Sequence, residues 1–88
     1  MQNAMMNDIE ARVRLPEGAG LLSEYTRHYA VDPKGLIVAI YESGDSKSEW
    51  VTTPDRLPLI LDGGCSVISI LYDPKAKVIR SAHCNGTA

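Results

Sequence analysis

CSVISILYDPKAKVIRSAHC, residues 65–84, carries an Asp-Pro-Lys turn between two apolar, β-prone flanks. Proline fixes φ near −65°, which suits the second position of a type I turn, and aspartate suits the first. The pattern predicts a β-hairpin. Ala76 would pay a steric cost at positive φ. A four-residue loop, Asp73 to Ala76, is therefore expected, with Tyr72 facing Lys77. Carried down the ladder, that register sets Cys65 opposite Cys84 as a non-hydrogen-bonded pair. Their Cα atoms would then lie about 4.5 Å apart, inside disulfide range. The bridge would close a loop worth roughly 3 kcal/mol in the chain-entropy picture.

A second copy of the turn lies upstream in HYAVDPKGLIVAIY, His28–Tyr41. Here Gly35 follows the lysine and can adopt positive φ, which favours a three-residue loop with a bulge at the glycine. A turn solution used twice accounts for the repeat more simply than an internal duplication. Strand Cys65–Tyr72 is apolar on both faces, and so is Leu36–Tyr41. Strands of that kind are central and covered on both sides. Either the terminal segments fold over the sheet, or a second protomer does.

The rest of the chain is built outward from these hairpins. IEARVRL, Ile9–Leu15, alternates apolar and polar residues at the period of a half-buried strand. A helix would instead place Met5, Ile9 and Val13 together; strand is the favoured reading. Residues 1–8 read as a disordered segment and residues 9–86 as a single small domain. Pro16–Gly20 breaks the chain, and a short helix over Ala19–Tyr25 follows from the spacing of Leu21, Leu22, Tyr25 and Tyr29. Ser43–Ser48 is a polar loop. Glu49–Thr52 reads as a short strand returning alongside Leu36–Tyr41. Thr53-Pro54 starts at most one helical turn before Pro58 stops it. Asp62-Gly63-Gly64 turns the chain into the last hairpin. The expected class is α+β: a small antiparallel sheet of four to five strands with one or two short helices.

Composition narrows the function. The chain has 88 residues, 44% of them hydrophobic, with 9 Lys+Arg against 11 Asp+Glu. Neither half is basic enough to neutralise a phosphate backbone, which argues against nucleic-acid binding. The apolar run Leu57–Leu61 is interrupted by proline and is far too short to span a membrane. With no Phe and one Trp, the core must rest on Leu, Ile, Val and four Tyr. A domain this small gains much from a covalent staple or an oligomer interface.

Cys65 and Cys84 are the first candidates for chemistry. A redox pair usually sits as Cys-x-x-Cys at a helix N-terminus, which lowers one thiol pKa. Here the two are far apart in sequence and both lie on strands, so a disulfide is the better reading. The alternative is a small thiol-dependent enzyme using Cys65 with an imidazole from His28 or His83. His83 is a poor partner for Cys84, because neighbours on a strand point to opposite faces; its expected cross-strand partner is Ser66. Each histidine is read as a surface or partner-facing imidazole. The cysteines and histidines lack the short paired spacings of structural zinc sites. Asp62-Gly63-Gly64-Cys65-Ser66 leads into a strand, not a helix, so it reads as a turn rather than an oxyanion site. No Gly-rich phosphate loop is present. Asn85-Gly86-Thr87 matches the N-glycosylation pattern, near a fraying end.

The aromatics Tyr25, Tyr29, Tyr41, Trp50 and Tyr72 can serve a core without Phe or a binding surface. Tyr29, Tyr41, Trp50 and Tyr72 form the candidate interaction surface. The resulting expectation is a non-catalytic binding or structural module, without cofactor or metal, acting through contacts with a protein partner or a second copy. A small-ligand carrier, with the ligand between sheet and helix, is a further alternative. The expected disulfide places the protein outside the cytoplasm, periplasmic or secreted. MQNAMMNDIE shows no signal-peptide pattern, which leaves a cytoplasmic location as the alternative.

Overall fold

Both Asp-Pro-Lys turns close antiparallel hairpins in the computed structural model, which describes residues 2–58 and 63–85. The first joins β1 (Tyr25–Val31) to β2 (Ile37–Ser43). The Asp32 amide donates to the Leu36 carbonyl at 2.8 Å, leaving Pro33, Lys34 and Gly35 as the loop. Gly35 has φ 85°, the left-handed conformation expected of it. The Asp32 carboxylate accepts from the amides of Lys34 and Leu36 at 2.8 and 2.9 Å, so the side chain closes the turn locally.

The second hairpin joins β4 (Gly64–Asp73) to β5 (Val78–Asn85). Its loop runs from Pro74 to Lys77, one residue further along than expected, because Asp73 is still paired, to Val78. The Asp73 carboxylate accepts from the Lys75 and Ala76 amides at 3.0 and 3.2 Å and from Arg80 at 2.8 Å. The left-handed residue is Lys77, with φ 56°, and Ala76 is spared. Lys77→Gly is expected to raise stability by roughly 0.5–1 kcal/mol, strain relief outweighing the added freedom of the unfolded chain. A denaturant midpoint that falls instead would show that Lys77 carries no strain.

The expected register is corrected along most of this hairpin. Tyr72 faces Ile79 rather than Lys77, and His83 faces Ser69 rather than Ser66. Two irregularities account for the difference. Arg80 is an extra residue on β5 between the pairs Tyr72–Ile79 and Leu71–Ser81. Cys65, Ser66 and Val67 are extra on β4 between Gly64–Asn85 and Ile68–Cys84. The second irregularity brings Cys65 back to Cys84, with their Cα atoms 4.5 Å apart.

The third strand departs further from expectation. β3 (Lys47–Trp50) does not lie beside β2. It runs parallel to β1 along that strand's other side, with Thr26 facing Lys47 and Tyr29 facing Trp50. The order is β3-β1-β2-β4-β5, so the sheet is mixed rather than antiparallel throughout. The reason is availability: β2 is paired on both edges, by β1 and β4, while β1 has a free edge. The chain crosses beneath the start of β1 in a tight link. The Gly44 amide donates to the Glu24 carbonyl at 3.0 Å, and Thr26 Oγ1 donates to the Asp45 carbonyl at 2.9 Å. A Cβ on Gly44 would sit 2.6 Å from Thr26 Oγ1, so any side chain there would have to displace that hydroxyl from the Asp45 carbonyl.

The N-terminal segment is helical. α1 spans Gln2–Arg12, which corrects the strand expected over Ile9–Leu15. It includes residues 2–8, read above as lying outside the domain, and buries Met6 and Ile9. Met5 and Val13 pack against the same cluster. Helical spacing therefore wins over the alternation of IEARVRL, because it turns one apolar stripe onto the sheet. The expected helix over Ala19–Tyr25 shrinks to a single 3-10 turn, Leu22–Glu24, and Tyr25 already belongs to β1. A second 3-10 turn covers Pro54–Arg56. Asp62, Gly86 and Thr87 lie outside the described residues.

Register assigns the two faces. Tyr29, Ala39, Ile70 and Ala82 form one cross-sheet row on the α1 side. His28, Ile40, Ser69 and His83 form the adjacent row on the other side, which the 54–56 turn approaches over β1.

Candidate functional site

The face away from α1 carries the most chemistry among the described residues. On it, the parallel pairing places Glu49 beside His28, and Glu42 stands two residues beyond Ile40 on the same side of β2. His28 is 9% exposed, which corrects its reading as a surface imidazole. Its Nδ1 hydrogen-bonds to Glu49 Oε1. Its Nε2 lies 3.8 Å from Glu42 Oε1 and has no hydrogen-bond partner within the described residues. The imidazole thus joins carboxylates from two neighbouring strands. Further along the row, Ser69 Oγ donates to Asn85 Oδ1 at 2.5 Å, and His83 is exposed.

Beside this row the sheet opens into a cleft of about 450 Å³. Val38 and Ile40 supply its floor, and Pro54, Asp55, Leu57 and Pro58 its wall. Local physics builds that wall. Pro54 starts the 3-10 turn with its φ already set, and Leu57 leaves it in extended conformation. Among the described lining residues, Asp55 alone is charged. Hydrogen bonds from the Thr53 side chain and its own backbone hold its carboxyl below the ordinary value. An apolar cleft with one fixed anion suits an apolar group carried next to a polar or basic one. Among the described residues, no group of three His, Cys, Asp or Glu is placed to hold a metal ion.

The opposite face is closed by a polar network around Glu10. Glu10 Oε2 accepts from Tyr29 at 2.7 Å and from Ser48 at 2.5 Å, and lies 3.2 Å from Arg27 Nε. The Tyr41 and Tyr29 hydroxyls are 2.6 Å apart. Arg27 also donates to the carbonyls of Leu22 and Tyr25 at 2.7 and 3.2 Å. Burial raises both phenols well above their ordinary values, and for Tyr29 the neighbouring Tyr41 and Glu10 add to it. Both therefore stay protonated and donate. At the far side of the helix Tyr72 donates to Asp8, whose carboxyl is held low by that bond and by Arg12.

Of the candidate interaction surface, Tyr29, Tyr41 and Tyr72 therefore belong to the core, at 0%, 0% and 1% exposure. The hydroxyls of Tyr29 and Tyr72 are satisfied by Glu10 and Asp8 of α1, and that of Tyr41 by Tyr29, which is why all three can be buried. Trp50 alone remains half-buried at the end of β3, stacked on Tyr29 with centroids 6.3 Å apart. Most of the space between sheet and helix, where the carrier reading expects a ligand, is filled by these rings with Met6 and Ile9, leaving an apolar pocket of about 180 Å³ lined by Gln2, Met5, Val31, Ile37 and Trp50.

Cys65 and Cys84 are paired at disulfide distance, and neither is a free nucleophile in this form. Register puts His83 on the face opposite to Cys84. The pair lies under the Pro16–Gly20 loop: a Cβ on Gly18 would approach Cys65 Sγ to 3.2 Å. Tyr25 ties the loop to the bridge, donating to the Cys65 carbonyl at 2.6 Å and accepting from the Gly20 amide at 3.0 Å.

Neither protein-family models, curated proteins nor solved structures yield a match to this chain. No helix among the described residues is long and apolar enough to cross a membrane.

Proposed function

We propose that this chain is a non-catalytic binding module that receives apolar side chains of a partner protein in the cleft between β2 and residues 54–58. The cleft carries the proposal: its described lining is apolar apart from Asp55, and it lies on the face that α1 leaves uncovered. A disulfide is compatible with an extracytoplasmic setting, since such bridges are rare in the cytosol. The small-ligand carrier is the weaker reading, because side chains occupy most of the sheet–helix interface and the pocket left there, about 180 Å³, is smaller than the cleft.

Selection of displayed peptides on the folded protein tests the proposal. Apolar sequences are expected to be enriched. Val38→Asp places a charge in the cleft floor and should weaken their binding by about tenfold or more, the loss typical of a disrupted central contact. Peptides that bind Val38→Asp as well as the parent, with its fold intact by circular dichroism, would overturn the assignment. A small molecule co-purifying with the protein, and displaced by no selected peptide, would favour the carrier.

A further inference from the structure

Among the described residues the sheet has two outer strands, and they are not alike. β3 is short, and it alternates Lys47 and Glu49 with serine and tryptophan. Charges of that kind discourage another strand from adding to an edge. β5 is the longer one, Val78–Asn85, with no proline. Its first part is also protected. Arg80 is the extra residue of a bulge and is held by Asp73 at 2.8 Å. Bulges and edge charges are the usual devices against strand addition.

From Ser81 to Asn85 those devices stop. This stretch, SAHCN, contains no Lys, Arg, Asp, Glu or Pro. The irregularity near the disulfide adds its residues to β4, so β5 itself runs without insertion from Ser81 to Asn85. The same end is fastened down twice. Cys84 is paired with Cys65, and Ser69 Oγ donates to Asn85 Oδ1 at 2.5 Å. A fastened edge has little conformational freedom left to lose on pairing, which favours association.

We infer that β5 pairs antiparallel with β5 of a second copy of this chain, on a two-fold axis at His83. A second copy is the occupant because the stretch is complementary to itself. An isologous antiparallel pairing sets each residue against its mirror position about the axis. Centred on His83, it sets Ser81 against Asn85, Ala82 against Cys84, and His83 against His83. Polar residues then meet polar ones on one face, and small ones meet small ones on the other. Centring on Ala82 instead would draw the bulged Arg80 into the ladder. The two sheets become one continuous sheet whose outer strands are the charged β3 edges. The contact is small, so the dimer is weak and depends on concentration. It is separate from the cleft on β2 and does not rest on the function proposed for it.

The test uses the residue that must meet itself. His83 is exposed, so its replacement does not disturb the core. Sedimentation is measured from micromolar to about millimolar concentration on the parent, His83→Lys and His83→Thr. The parent and His83→Thr are expected to dimerise. His83→Lys puts like charges directly opposite each other and should raise the dissociation constant by about tenfold or more. Amide exchange should slow in residues 81–85 as the parent or His83→Thr is concentrated, but much less in His83→Lys. A parent that stays monomeric throughout overturns the inference. So does a dimer indifferent to His83→Lys, or one whose protection appears elsewhere.

Discussion

Glu10→Ala is expected to destabilise the fold by about 3–5 kcal/mol, the range for removing one partner of a buried ion pair. Glu10 is the only group on α1 that reaches the Arg27 guanidinium. It also accepts from Tyr29 and Ser48 through the same oxygen, Oε2. Its loss leaves Arg27 with two carbonyls and the Ser48 hydroxyl, and no counter-charge among the described residues. It also leaves the buried Tyr29–Tyr41 hydroxyl pair, both protonated, one acceptor short. An unsatisfied buried donor alone costs about 1–3 kcal/mol. Small domains have only about 5–15 kcal/mol in total, so the variant should be largely unfolded at moderate denaturant. Glu10→Gln keeps the acceptor but not the charge, and should fall between parent and alanine. Urea unfolding of the three proteins decides the matter. A loss below about 1 kcal/mol for Glu10→Ala, the level of an ordinary exposed pair, would show that the network does not hold α1 to the sheet.

Replacing both Cys65 and Cys84 with serine is expected to cost roughly 3 kcal/mol, the chain-entropy value for a loop of this size. The two residues are separated by 19 positions. The loss should be felt first where the bridge is anchored, at the three extra residues of β4 and the Tyr25 bond to the Cys65 carbonyl. Amide exchange in residues 81–85 should therefore quicken more than in β1 or β2. Alkylation of unreduced protein, blocked at lysis from its native source, should find no free thiol. A serine double variant as stable as the parent would remove the staple. Two alkylated cysteines from the native source would reopen Cys65 as a nucleophile.

The first hairpin was legible because its instructions are local. Asp32 closes the turn with its own carboxylate and Gly35 supplies positive φ, and neither depends on distant residues. The second hairpin was legible in loop length but not in register. Lys77 rather than Ala76 takes the left-handed position, and Arg80 is an unpaired insertion that no residue type announces. The cysteines still meet, since the later irregularity offsets the earlier shift. α1 was ambiguous because IEARVRL satisfies both periods; the sheet, with Tyr29 and Arg27 awaiting Glu10, selects the helix. The side on which β3 pairs depends on which edges remain free, a property of the assembled sheet. The same limit hid the His28 cluster. Glu42 and Glu49 are distant in sequence, and only the strand order brings both to one imidazole. Val38 and Ile40 could be read as an outward apolar row, but the cover that makes a cleft of them comes from a Pro-rich segment with no periodicity.

The stack of Trp50 on Tyr29 makes the chain its own optical reporter. The protein contains one tryptophan, and it stands at the end of the outermost parallel strand. Emission excited at the red edge of the indole band therefore follows the detachment of β3, while circular dichroism follows the whole sheet. Curves that coincide would make that strand part of the cooperative unit. An earlier indole transition would mark β3 as a flap that opens while the two hairpins remain closed.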